Sequence, residues 1–191
     1  MEGDGSCSLA NKRWSCFAFE MCNTGRPFNL SDVCRNSEIS LIATMNRCDF
    51  AGCVSASRAI NKDHVPFGSF VVSNLCVHAD HRRNGSKHTC EESVATLLMD
   101  HIVMEINKRQ KKVEPVYLMV CTKDVNASEP QLRNLARQRV RALIRMYEHL
   151  KFHIVAHEEG AVVMANDPKL KKETSDQVMK SIFRSYDSPI L

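Results

Sequence analysis

The chain has no apolar run near the roughly 20 residues that a membrane-spanning helix needs, so a membrane-embedded protein is not expected. Its opening residues, Met1-Glu2-Gly3-Asp4-Gly5, lack the basic-then-apolar order of a secretory signal. It has no C-x-x-C pair, and its nine cysteines are an odd number, which reads as free thiols in a reducing compartment. These absences lead to the expectation of a soluble cytoplasmic or nuclear protein. No internal repeat or low-complexity tract interrupts the chain. Twenty-six basic against 22 acidic residues leave a net charge of +4, enough to suit an anionic cofactor but too little to imply nucleic-acid binding.

What is present suits one domain. A length of 191 residues, 43% hydrophobic and 25% charged, supports one substantial core, and two would be cramped. Residues 1–37 form an entry region, small, polar and glycine-containing up to about residue 15. From Glu38 the texture changes: Ile39 to Ala43 and Ala51 to Ser55 read as a hairpin, and Ser69 to Val77 as a third strand after the Pro66-Phe67-Gly68 turn. Residues 91–107 place Val94, Leu97, Leu98, Ile102 and Ile106 on one helical face, after a capping box at Thr89 and Glu92. Val116 to Cys121 is a continuous apolar run, as in a strand buried on both faces. A second capping box, Ser128 to Gln131, opens a helix whose face holds Leu132, Ala136, Val140, Leu143, Tyr147 and Leu150. A hairpin about Glu159-Gly160 closes the region 38–167. Residues 168–191 then carry an amphipathic helix from Thr174 with Val178, Met179, Ile182, Phe183 and Tyr186 on its apolar face.

The stretch from Leu75 to Lys87 carries the sharpest chemistry. An apolar strand runs into a basic turn with a glycine, and a helical pattern follows, which is a layout for cradling phosphate on backbone N–H groups with arginines adding charge. The bland alternative is a surface helix after an Arg-rich turn, since the carboxylates of Glu91 and Glu92 in the first turn would repel a phosphate.

These residues resemble the GNAT superfamily of acetyl-CoA-dependent N-acetyltransferases, in which an L-x-V strand end leads to R/Q-x-x-G-x-G/A and a helix. Leu75 and Val77 fit the strand, Arg82 the first motif residue and Gly85 the first glycine; Lys87 stands where the family has its second glycine or alanine. Leu143 to Phe152 is similar to the family's A-x-x-L-Y-E-x-L-G-F, with Lys151 in place of the glycine that ends the helix, so that the helix must close without it. The element order of residues 38–167 also resembles the family's. The resemblance implies an α/β fold with a mixed, mainly antiparallel sheet flanked by helices, to which the C-terminal helix is an addition. It implies acetyl-CoA as cosubstrate, held by Leu75, Cys76 and Val77 and by Arg82, Arg83, Asn84, Gly85, Ser86 and Lys87. It implies Tyr147 as the acid beside the departing thiolate, and transfer of acetyl to a primary amine of a protein or small molecule. The rival expectation is a degenerate domain that binds CoA or another protein.

Other candidates are open. No general base is identified: His78, His81, Glu38 and a water relay are alternatives. His78, His81, His88 and Cys90 invite zinc, but their spacing fits no familiar module and no metal is expected. Cys76 and Cys121 read as inert core thiols. Arg133, Arg137, Arg141 and Arg145 recur every four residues as one basic line, either a solvated face or a seat for an acidic partner. Nucleic acid is not expected there, because no aromatic residue accompanies the arginines. The apolar face of the last helix suggests a contact with its own domain, a partner or a second copy, and a homodimer is the expectation.

Overall fold

The computed structural model describes residues 35–45, 49–60, 64–78, 81, 93–110, 112, 114–158, 160–170 and 172–183. Six strands form one mixed, mainly antiparallel sheet in the order β1-β2-β3-β4-β6-β5, accompanied by helices, which is the α/β architecture expected. The described chain falls into two compact units. One takes the residues up to 58 with 72–112, and the other takes 59–71 with those from 113 onward. Among the described residues no helix is long and apolar enough to cross a membrane.

In the first unit, β1 (Ile39–Met45) and β2 (Asp49–Arg58) pair as the antiparallel hairpin that their apolar segments predict. The Glu38 carboxylate ties its open end. It accepts from the Arg58 backbone N–H at 3.0 Å and lies 3.4 Å from that side chain's Nε. Residues Phe50 to Ala56 of β2 are all buried. Gly52 answers a close approach: a Cβ there would stand 2.6 Å from the carbonyl oxygen of Cys76 on β3 (Phe70–Val77), so a side chain would force the two backbones apart.

Helix α1 (Val94–Arg109) packs on β1 and β2. Its N-cap is Ser93, whose Oγ accepts from the Thr96 N–H at 3.1 Å. The helix therefore starts later than the predicted box at Thr89 and Glu92, which lies outside the described residues. Its face is also turned from the predicted one. Leu98, Met99, Ile102 and Ile106 are buried, while Leu97 is 41% exposed.

In the second unit, β6 (Ala161–Ala165) lies between β4 (Tyr117–Cys121) and β5 (His153–Glu158), antiparallel to both and buried at every residue. Gly160 turns the β5–β6 hairpin with φ at +90°, a conformation that costs glycine nothing. Val116 and Asn166 lock the end of β4 through two reciprocal bonds of 2.9 and 3.2 Å. One core cluster gathers Ala59, Val65, Val71, Tyr117, Val163 and Ala165.

A short 3-10 helix, Lys123–Asn126, leads into α2 (Pro130–His149), which contacts β4. The predicted Ser128 cap does not form. Glu129 takes the N-cap position without a side-chain bond, and Pro130 opens the helix where its missing N–H costs nothing. The other end closes through Lys151 itself, with φ at +69°, the left-handed conformation a glycine would adopt. The Lys151 N–H donates to the Glu148 carbonyl at 3.0 Å and the Phe152 N–H to the Tyr147 carbonyl at 3.0 Å, the paired bonds of a Schellman closure. The Tyr147 and Phe152 rings meet edge to face at 6.4 Å across it. The end thus closes without the family's glycine, as expected, and lysine bears the left-handed strain.

Helix α3 (Ser175–Phe183) follows its predicted box. Thr174 Oγ1 donates to Gln177 Oε1 at 2.8 Å and accepts from the Gln177 N–H at 3.4 Å. Val178, Met179 and Phe183 are buried, and the helix packs on α2 and the 3-10 helix. Ile182 of the predicted apolar face is only partly buried, and Tyr186 lies outside the described residues.

Candidate functional site

β3 carries the first group of candidate residues. Asn74 sits within the strand at φ +55°, a left-handed value that asparagine tolerates better than most residues and that marks a local departure from the pleat. A polar cluster holds it there. Asn74 Nδ2 donates to Ser55 Oγ at 3.1 Å, and the Ser55 hydroxyl, fully buried, lies 3.1 Å from Ser73 Oγ and donates to the Ser73 carbonyl at 3.2 Å. Sequence reasoning passed over Ser73 and Asn74 because neither is a base; the signal was an Asn beside a Ser in an otherwise apolar strand. Immediately after this kink come Leu75, Cys76 and Val77. Leu75 and Val77 are partly exposed and Cys76 is buried.

Cys76 is not the free thiol expected, for it is disulfide-bonded. Cys53 and Cys121 keep their thiols. Counting and spacing of cysteines say nothing about which of them the fold brings within bonding reach, and that reach decides the pairing. Beyond the strand, the His78 N–H donates to the Ala51 carbonyl at 2.9 Å, and the His78 and His81 rings lie 5.6 Å apart. Arg82, Arg83, Asn84, Gly85, Ser86 and Lys87 lie outside the described residues, as do His88 and Cys90 of the zinc alternative. Among the described residues no group of three or more His, Cys, Asp or Glu side chains is gathered for a metal. Glu38, one of the candidate bases, is held by Arg58 at the hairpin end.

Tyr147 is placed by the last turn of α2, between the buried Ile144 and the Schellman closure. Burial pushes its phenol up to about 12, so it stays protonated throughout the neutral range. Its aromatic neighbour is Phe152, and no described group hydrogen-bonds its hydroxyl.

The basic line on α2 divides in the structure. Arg133 Nη1 donates to the Ala127 carbonyl at 3.4 Å, Arg137 Nε to the Val125 carbonyl at 3.2 Å, and Arg137 Nη2 to the Phe183 carbonyl at 3.2 Å. Arg137 and Arg141 also lie over the Phe183 ring, at 4.9 and 5.0 Å from its centroid. Arg145 is exposed. A further side-chain chain joins β5 to α3: His157 Nδ1 lies 2.7 Å from Glu173 Oε2 and Nε2 lies 3.2 Å from Ser181 Oγ.

The class that this sheet and its helices define is an α/β domain with a mixed, mainly antiparallel sheet. No family profile matches the chain, and no curated protein does. Solved structures resemble it in arrangement. The GNAT family N-acetyltransferase YhbS of Escherichia coli, in complex with CoA, aligns at TM-score 0.49 and 12% identity over 86% of this chain and 82% of its own. PH1933 of Pyrococcus horikoshii aligns at TM-score 0.44 and 12% identity over 70% of this chain and 64% of its own. The histone acetyltransferase HPA2 and related acetyltransferase of Corynebacterium glutamicum aligns at TM-score 0.40 and 14% identity over 68% and 64%. This chain thus spans less than two thirds of the latter two. Likenesses of this strength assign no residue roles here.

Proposed function

We propose that this chain is an N-acetyltransferase that moves acetyl from acetyl-CoA to a primary amine. Tyr147 carries the reading. It is a phenol on the final turn of a helix, kept protonated by burial that pushes it up to about 12, at the motif position where a departing thiolate needs a proton. The kinked end of β3 supports it, because an extended ligand arm can pair with backbone groups that a departure from the pleat leaves out of the ladder. Leu75, Cys76 and Val77 would hold the arm and Arg82 to Lys87 the phosphates, while acetyl-CoA supplies the acyl group as a thioester. The amine nitrogen bonds to the thioester carbon, the carbon–sulfur bond breaks, the sulfur takes the Tyr147 proton and water restores it. The amine's surplus proton leaves to water.

Replacing Tyr147 by Phe tests this. Turnover should fall by about ten- to ten-thousand-fold with CoA affinity unchanged. Wild-type turnover in Tyr147→Phe would return the residue to a packing role.

The second reading, a degenerate domain that binds CoA or a protein without turnover, draws on one observation: Glu38, a carboxylate among the candidate bases, is occupied by Arg58. Calorimetric CoA binding with no acetylation across a panel of amines and peptides would favour it.

A further inference from the structure

Helices α2 and α3 line a half-open cavity of about 420 Å³. Its floor is apolar, made by Ile144, Met179 and Phe183, and its walls are cationic. Arg137, Arg141 and Arg145 stand on α2 and Lys180 on α3, against the single carboxylate of Asp176. The arginines follow at four-residue steps, about 6 Å along a helix. Like charges at that spacing destabilise a helix unless something screens them.

The structure screens them only in part. Arg137 is satisfied by the carbonyls of Val125 and Phe183, and it shares the Phe183 ring with Arg141, so two guanidinium groups converge on one aromatic face. Arg145 and Lys180 line the cavity exposed and, among the described residues, without a carboxylate partner.

We infer that this cavity binds a compact ligand carrying two or more phosphate groups. The volume suits a small molecule rather than a macromolecular surface. Guanidinium forks pair bidentately with phosphate oxygens, and a lysine facing them adds a point charge from the opposite wall. One carboxylate of an acidic side chain would leave most of this charge unmatched. The phosphates could belong to CoA or to a separate polyphosphate, and the recognising chemistry is the same.

The probe is inorganic tripolyphosphate, titrated calorimetrically into the full chain at low salt. Saturable binding with one site is expected, weakened about tenfold or more in the double variant Arg145→Gln with Lys180→Gln. Both side chains are exposed, so a thermal melt should confirm an intact fold. Arg139→Gln, exposed on the same helix but outside the cavity, should bind as the wild type does. No saturable binding, or equal weakening in Arg139→Gln, overturns the inference. Competition then names the source: displacement by CoA assigns the site to the cosubstrate's phosphates, and its absence assigns it to another ligand, the site standing in either case. Tripolyphosphate binding needs no acetyl transfer, so its failure leaves the proposed activity untouched, and an inactive protein that binds the probe leaves this inference standing.

Discussion

Helix α1 buries Leu98, Met99, Ile102 and Ile106 within 16 residues, whereas α2 buries only Val140 and Ile144 within 20. Fully burying an apolar side chain contributes about 1.5–3 kcal/mol, so α1 is placed by the hydrophobic effect on its sheet. α2 is placed differently. Its Leu132 and Leu135 remain 46% and 64% exposed, and its hold on the unit comes through guanidinium bonds to the carbonyls of Val125, Ala127 and Phe183. Two helices of similar length are thus fixed, one by a face and the other by directed contacts. Directed contacts leave a helix surface free for other work, and the cationic cavity lies on it.

The contrast can be broken by substitution. Ile102→Ala removes a fully buried side chain and should cost about 4 kcal/mol of unfolding free energy, read by urea titration. Arg137→Gln should cost about 2 kcal/mol, the scale of hydrogen bonds made by a charged donor, with α3 loosened first. If Arg137→Gln proves nearly neutral, α2 owes its position to Val140 and Ile144 after all. Lys151→Gly should raise stability by about 1 kcal/mol, because glycine adopts the left-handed closure without strain.

The smallest effect concerns acid. Burial, and secondarily the charge of Lys172, holds the His153 imidazole below its ordinary value of 6.5, and its Nε2 is buried with no partner. The unfolded ring takes up a proton that the native ring resists, so stability should fall as pH drops through 6.5. Comparing Tm between pH 7.5 and 5.5 for wild type and His153→Gln checks it: the variant's pH dependence should be flatter.

Much of the fold was legible wherever a pattern has a short physical range. The hairpins β1–β2 and β5–β6 follow from apolar segments around a turn, and α3 follows from a capping box with an amphipathic face. Caps were misread where two candidates stand close together: Ser93 and Glu129 each lie one to four residues from the predicted residues, and tertiary packing decides between them. The buried face of α1 was off because Leu97 and Met99 have similar hydrophobicity and only the sheet beneath chooses. In the candidate site, the place of Tyr147 on the last turn of α2 was legible from its motif. The Asn74 kink and the tie from Arg137 to Phe183 were not, since each depends on a partner distant in the chain, and neither was the Cys76 disulfide.

That last tie changes what kind of ending α3 is. A terminal helix held only by its apolar face could fray residue by residue, with each loss confined to itself. Here the carbonyl of Phe183 and the carbonyl of Val125 share one guanidinium, and the 3-10 helix also packs on α3. Lifting the helix would uncover Val178, Met179 and Phe183 and strip Arg137 of an acceptor in a single event. The segment is therefore expected to open together with the turn before α2, and such an opening would free Arg137 from its Phe183 acceptor.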